Sequence, residues 1–263
     1  MKINQVKRNN DFPFIWFGDA WFADKLSADQ TLYCIPSGRI QIEQTSTFIK
    51  AMAEHCLKEI LAVQPKGPYL MGGFCFDAWI AYEVSQLLQE RGQQTALMLM
   101  IECYTLDKEE QRFNGYANHV KKLGTGSIRS RLDYLGEIVP WGAKEEQPMD
   151  IPLSSMSTED QVNLLTKYAM ESYKRQPTGQ PIELIFGTDS WHSSYYKFGP
   201  YFPMPKTGWF KTASGPISTY FTAGNHDTIL EDQNVDMMAK LVQLRIDKIK
   251  ADLGSQSSKF HST

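Results

Sequence analysis

Short apolar runs recur along the chain and alternate with segments of helical periodicity. Runs of aliphatic and aromatic residues bounded by Gly, Pro or Asp predict buried strands. These runs are Phe12–Phe17, Leu32–Ile35, Tyr69–Phe74, Thr95–Ile101, Pro181–Phe186 and Ile217–Thr222. Apolar residues spaced three and four apart predict helices over Ser46–Val63, Phe76–Gln89 and Val235–Leu253. Strands that alternate with helices in this way are typical of the α/β class with a mostly parallel sheet.

The pattern changes between the fourth and fifth predicted strands. Two polar helical segments, Glu109–Leu123 and Thr158–Tyr173, surround an irregular piece that contains Pro and Trp. An inserted helical lid fits this pattern better than additional sheet. We therefore predict a lid over residues 104–178, inserted into a core built from residues 1–103 and 179–263.

The composition narrows the class of function. A chain of 263 residues, 42% of them hydrophobic, is long enough for one large core. Its net charge of -3 provides no basic field, so we expect neither nucleic acid nor membrane as a partner. No apolar run reaches the length of a membrane span and the N-terminus is polar, so we expect a cytoplasmic protein. The histidines share no short ligand spacing, and we predict no metal site.

The segment from Gly73 to Asp77 joins a predicted strand to a predicted helix, and Cys75 lies at its centre. A nucleophile elbow requires this strand-turn-helix context, with small residues that leave room for a strained turn. The N-terminus of the following helix favours a thiolate, because the helix dipole stabilises negative charge there. The other three cysteines lack such a position and are interpreted as small buried apolar residues. We therefore predict that Cys75 is a nucleophile.

A thiol nucleophile needs a base, and His226 has a suitable position. It follows the last predicted strand and precedes the closing helix, which is the chain order of a hydrolase triad. The third member should be an acid that accepts the proton on Nδ1 of the histidine. Glu102 and Asp189 both follow predicted strands, and the sequence alone leaves the choice between them open.

Two stretches resemble the type I thioesterase family, which terminates nonribosomal peptide and polyketide synthesis. The segment PKGPYLMGGFCFDAWIAYE, at Pro65–Glu83, is similar to the family's nucleophile region. The segment NHDTILEDQNV, at Asn225–Val235, is similar to its histidine loop. The resemblance covers residues 12–103 and 217–250 and implies an α/β-hydrolase fold.

The same resemblance implies a reaction. The nucleophile attacks the thioester of a chain held on the phosphopantetheine arm of a carrier protein and forms an acyl-enzyme. The chain is then released by hydrolysis, macrocyclisation or transfer to an amine or hydroxyl. By position, Cys75 matches the nucleophile, where serine is usual, His226 the base and Glu102 the acid. The implied partner is an acyl or peptidyl carrier protein, and no bound cofactor is implied.

The chain departs from the family pattern beside the elbow. The backbone N–H groups of Phe76 and Asp19 are our predicted oxyanion donors, although the loop after the first strand lacks the frequent H-G opening. Asp77 stands where a small residue is usual, and we interpret it as a first-turn helix charge, with a tuning role as the alternative. The aromatic segment that begins at Trp191 and His192 is either the wall of an acyl tunnel or an ordered loop.

The sequence is therefore compatible with three functions. The first is a thioesterase, cyclase or acyltransferase that acts on carrier-bound chains through Cys75. The second is another α/β-hydrolase that acts on small esters or amides, because a fold alone does not determine a reaction. The third is a noncatalytic carrier-binding domain, in which Asp77 marks lost activity.

Overall fold

The computed structural model describes residues 3–7, 12–19, 21–36, 48–104, 157–190 and 208–260. Its strands are β1 (Asn4–Lys7), β2 (Phe14–Phe17), β3 (Leu32–Ile35), β4 (Tyr69–Phe74), β5 (Thr95–Ile101), β6 (Ile182–Gly187) and β7 (Ile217–Thr222). Its helices are α1 (Phe48–Val63), α2 (Phe76–Glu90), α3 (Thr158–Ser172), α4 (Trp209–Thr212) and α5 (Asp232–Phe260). The strands form one sheet in the order β1-β3-β2-β4-β5-β6-β7. The α/β prediction is confirmed.

The pairing within the sheet is mostly parallel. Strand β1 pairs antiparallel with β3 at one edge, whereas every other neighbouring pair is parallel. The sequence pattern did not predict β1, because Asn4–Lys7 contains only one apolar residue. A short polar strand at a sheet edge needs no buried face, and it therefore leaves no hydrophobic signal.

Helices cover both faces of the sheet, and this explains why the central strands are apolar throughout. Met98 and Met100 of β5 pack on one side with α1 and α2. Leu97 and Leu99 of the same strand pack on the other side with α5. Because alternate side chains of a strand point to opposite faces, a sheet covered on both sides needs apolar residues at every position.

The register brings the carboxyl ends of four parallel strands to one edge of the sheet. Phe74 at the end of β4 pairs with Ile101 at the end of β5. Gly187 at the end of β6 pairs with Thr222 at the end of β7. Side chains that follow these strands therefore meet at one edge, which is where ligands bind in open α/β sheets.

The predicted lid is described only at its C-terminal part. Helix α3 packs against α1 and α2, and Ala169 and Met170 are buried there. Just beyond α3, the Tyr173 hydroxyl donates a hydrogen bond to the Glu83 carboxylate of α2. The end of the predicted insertion is thus joined to the core, while the predicted helix Glu109–Leu123 lies outside the described residues. The boundaries of the lid stay a prediction.

The described ranges contain neither a membrane-spanning helix nor a cluster of metal ligands. None of the helices found there is both long enough and apolar enough to span a membrane. No group of three or more His, Cys, Asp or Glu side chains in the same part of the chain is arranged to hold a metal ion.

Candidate active site

Cys75 lies in a strained turn between β4 and α2. Its backbone has φ 50° and ψ -119°, a conformation that non-glycine residues rarely adopt. The Cys75 N–H donates to the Ile101 carbonyl at 2.9 Å, which fixes the turn to β5. A Cβ added to Gly73 would lie 2.7 Å from the Ala78 nitrogen, so only glycine allows α2 to approach β4 this closely. These are the features of a nucleophile elbow.

The environments of the cysteines differ. Burial in apolar surroundings raises the pKa of the Cys34 and Cys56 thiols to about 12. The negative charge of Asp19 adds to the shift at Cys34, and that of Asp77 adds to the shift at Cys56. Cys103 is also buried, whereas Cys75 is partly exposed and caps the N-terminus of α2. A thiol reacts as its thiolate, so the buried cysteines are unreactive and Cys75 is the accessible one.

His226, from the loop after β7, lies between the acid and the thiol. Its Nδ1 is 3.6 Å from Oε2 of Glu102. Burial opposes the charged form of the ring, but interactions with the Cys75 side chain and the Glu102 carboxylate outweigh it and raise the pKa of His226 to about 10. Because Nδ1 faces Glu102, Nε2 is the ring nitrogen left to exchange a proton with a thiol.

Glu102 is fully buried directly after β5. Its φ of 48° is positive, as at Cys75, and its N–H donates to the Ile185 carbonyl of β6 at 2.8 Å. Its Oε1 accepts hydrogen bonds from the Gly187 N–H and from the Ser190 hydroxyl, the latter at 2.7 Å. These donors hold the buried carboxylate in one orientation.

The alternative acid, Asp189, has a different position. It is exposed, and its backbone N–H donates to the Gly224 carbonyl at 2.9 Å. Glu102 is therefore the acid that the structure brings next to His226. Asp189 instead helps to attach the turn after β6 to the loop that carries His226.

The loop after β2 approaches the elbow. Gly18 has φ 115°, and its N–H donates to the Ile35 carbonyl at 2.8 Å. The Asp19 carbonyl accepts from the Trp16 indole at 2.9 Å, which holds this loop in place. The Gly18 N–H is thus committed, and Asp19 supplies the next N–H along the loop. The Phe76 N–H, in the first turn of α2, has no acceptor within its own helix.

Asp77 is buried between the elbow and this loop. It lies in the first turn of α2, as predicted, but only 3% of it is exposed. A Cβ added to Gly18 would lie 3.1 Å from Oδ2 of Asp77. The carboxylate therefore packs against the predicted oxyanion loop, and glycine at position 18 provides the space.

Aromatic rings that the sequence did not indicate as part of the site lie near His226. The Phe74 ring centroid is 5.0 Å from that of His226, and the Tyr104 centroid is 6.5 Å away. Trp21, which is 52% exposed, lies 6.1 Å from Phe74. The position of Phe74 inside the elbow was an available signal, whereas Tyr104 and Trp21 carried none. Trp191 and His192 lie outside the described residues.

Curated relatives are similar to parts of the chain. Polyketide synthase PksR of Bacillus subtilis (strain 168) is 26% identical over 194 residues, which is 67% of this chain and 7% of that protein. A non-reducing polyketide synthase of Pseudevernia furfuracea is 41% identical over 92 residues, 31% of this chain and 4% of that protein. The chain thus corresponds to a small part of these much longer proteins.

Solved structures share the fold. The NocB thioesterase domain from the nocardicin cluster superposes with a TM-score of 0.60 and 13% identity, covering 94% of this chain and 99% of that one. The surfactin thioesterase domain SrfTE gives a TM-score of 0.55 at 12% identity, covering 93% and 95%. The predicted α/β-hydrolase fold is confirmed. A family model described as "Thioesterase domain" matches residues 20–245. The chain belongs to the thioesterase domain family.

Proposed function

We propose that this domain releases an acyl or peptidyl chain from a phosphopantetheinyl carrier protein through an acyl-enzyme on Cys75. One observation carries the proposal: Cys75, His226 and Glu102 follow three different strands yet form one interacting array at the sheet edge. The likeness to polyketide synthases supports the choice of a carrier-bound substrate. The phosphopantetheine belongs to the carrier, so the domain itself needs no bound cofactor.

In the first half-reaction, Cys75 exchanges one thioester for another. His226 takes the thiol proton, and the thiolate attacks the carbonyl carbon of the carrier thioester. The Phe76 and Asp19 N–H groups are the proposed donors to the oxyanion. When the tetrahedral intermediate collapses, the bond between carbon and carrier sulfur breaks, and His226 returns the proton to the departing thiol.

In the second half-reaction, a nucleophile replaces Cys75. His226 removes a proton from water, or from an amine or hydroxyl of the bound chain, as that group attacks the acyl carbon. The Cys75 sulfur then leaves as the thiolate, which the histidinium stabilises. A thioester intermediate remains more reactive towards amines than an oxyester, so transfer to an amine or ring closure suits this site.

Glu102 supports the charged form of His226 in both steps. The carboxylate lies on the Nδ1 side of the ring, and the pKa of His226 is raised to about 10, partly by this carboxylate. The carboxylate therefore stabilises the histidinium that forms when His226 takes the thiol proton. We therefore propose Glu102 as the acid of the triad.

Mass spectrometry can test the nucleophile directly. The purified domain is incubated with an acyl-pantetheine thioester, and the modified peptide is located after proteolysis. We expect one acyl group on Cys75, no adduct in Cys75→Ala, and an unchanged adduct in Cys56→Ala, which serves as the matched cysteine control. An adduct that persists in Cys75→Ala, or no adduct in the wild-type domain, would contradict the proposal.

The burial of Asp77 favours a second candidate, a carrier-binding domain without catalysis. A carboxylate packed against the oxyanion loop opposes the development of negative charge there. Under this alternative the domain binds a carrier protein but acquires no acyl group. A third outcome, in which simple oxyesters are hydrolysed much faster than thioesters, would instead indicate an esterase acting on small molecules.

A further inference from the structure

Ser190 contacts the proposed triad acid from a direction that the mechanism has not used. It is 5% exposed, and its hydroxyl donates to Oε1 of Glu102 at 2.7 Å. The Gly187 N–H donates to the same oxygen. The other oxygen, Oε2, is the one that lies 3.6 Å from Nδ1 of His226. The two carboxylate oxygens are thus divided between the turn after β6 and the histidine.

The turn that carries both donors is also attached to the histidine loop. The Thr188 N–H donates to the Thr222 carbonyl at 2.8 Å, and the Asp189 N–H donates to the Gly224 carbonyl at 2.9 Å. A Cβ added to Gly187 would lie 2.2 Å from the Gly224 oxygen, so the two segments touch through their backbones. The short turn after β6 therefore contacts both the Glu102 carboxylate and the loop that holds His226.

A carboxylate that is completely buried needs hydrogen-bond donors to hold its orientation. From this arrangement we infer that Ser190 is a positioning residue: it occupies Oε1 of Glu102 and directs Oε2 at His226. The inference rests on the proposed function, because it gives Glu102 a role in the triad. Glu102 faces His226, which in turn faces Cys75. Asp189, which lies beside Ser190 in the turn after β6, is exposed.

The test compares three variants with the wild-type domain. Ser190→Ala removes the hydroxyl, and Ser190→Thr keeps it. Ser85→Ala is the matched control, because Ser85 is equally buried but donates to the Tyr82 carbonyl within α2, at 2.6 Å. For each variant, the rate of Cys75 alkylation by iodoacetamide is measured against pH. The kcat and KM for release from an acyl-pantetheine thioester are measured in parallel, and folding is checked by thermal melting.

We expect Ser190→Ala to move the midpoint of Cys75 alkylation to higher pH, because a weaker Glu102–His226 interaction stabilises the thiolate less. We expect its kcat to fall about 10- to 100-fold with KM nearly unchanged, since one hydrogen bond to a charged group is lost. Ser190→Thr should restore both values, and Ser85→Ala should leave them unchanged.

The inference is overturned if folded Ser190→Ala has the wild-type alkylation profile and kcat. It is also overturned if Ser85→Ala shows the same losses, or if Ser190→Thr restores neither value. Alkylation needs no substrate, and this separates the two proposals. A shifted alkylation profile in a domain that releases no acyl chain would support the role of Ser190 and contradict the proposed reaction.

Discussion

Two turns at the carboxyl edge of the sheet share a positive φ, but they place their side chains in opposite environments. Cys75 and Glu102 both follow a parallel strand, and both have a positive φ, 50° and 48°. The Cys75 turn continues into α2 and leaves its side chain partly exposed at a helix N-terminus. The two described residues after Glu102, Cys103 and Tyr104, are not helical, and the Glu102 side chain is fully buried among hydrogen-bond donors.

Two residues with the same kind of backbone strain have different properties because their surroundings differ. Strain of this kind costs about 1–3 kcal/mol per residue and persists only where the surrounding structure holds it. At Cys75 it leaves the thiol partly exposed, as the proposed nucleophile requires. At Glu102 it accompanies a fully buried carboxylate that accepts hydrogen bonds from the turn after β6. His226 is the residue that connects the two turns.

The largest expected effect comes from the acid turn. Glu102→Gln keeps the shape of the side chain and an acceptor for Ser190, but it places an amide N–H opposite Nδ1 and favours the wrong tautomer of His226. We expect kcat/KM for the thioester to fall about 10²–10⁴-fold, with melting temperature little changed. Asp189→Asn is the control, and it should retain activity. Equal losses in both variants would show that Glu102 has no special role.

For a substitution in the elbow, the expected effect is on the stability of the fold. A Cβ at Gly73 would lie 2.7 Å from backbone atoms of α2, so Gly73→Ala must displace the helix that follows Cys75. We expect the free energy of unfolding to decrease by about 1–3 kcal/mol, measured by urea denaturation. Gly254→Ala, in α5 with nothing within 4 Å of its added Cβ, should instead be neutral or slightly stabilising. Gly73→Ala with wild-type stability would contradict this packing argument.

The last prediction concerns the pH dependence of stability and the residue that links the two turns, His226. The pKa of His226 is raised from 6.5 to about 10 in the folded domain. Its charged form therefore stabilises the fold fully below pH 6.5, and this contribution is lost as pH rises towards 10. The stability difference between the wild-type domain and His226→Gln should shrink between these values in a denaturation series. A difference that grew with rising pH would reverse the sign of this argument.

Much of this arrangement was accessible from the sequence. Strands β3, β4, β5 and β7 begin and end at the predicted residues. For β4 and β5 this is because buried strands in a doubly covered sheet are largely apolar. The elbow was predictable for a similar reason. A glycine, a cysteine and the start of a helical period within a few residues describe a local turn, and local turns follow from local sequence.

Other features were decided only by tertiary structure. The residue pattern left Glu102 and Asp189 open as the acid, and only the family resemblance favoured Glu102. The parallel register of β5, β6 and β7 brought Glu102, not Asp189, beside His226. The same register placed the Ser190 hydroxyl on Glu102, although neither residue carries a motif that links it to the other. The burial of Asp77 against Gly18 depends likewise on how β2 and β4 align.

There is a physical reason why the sequence predicted some of these features and not others. Periodicity and turn chemistry report the environment of a segment, so the sequence by itself determined the strands, the helices and the elbow that holds Cys75. Distances between side chains from different strands depend on strand order and register, which are set by packing across the whole sheet. Tertiary structure therefore decided how the acid faces His226, and it alone decided which residues hold that acid in place.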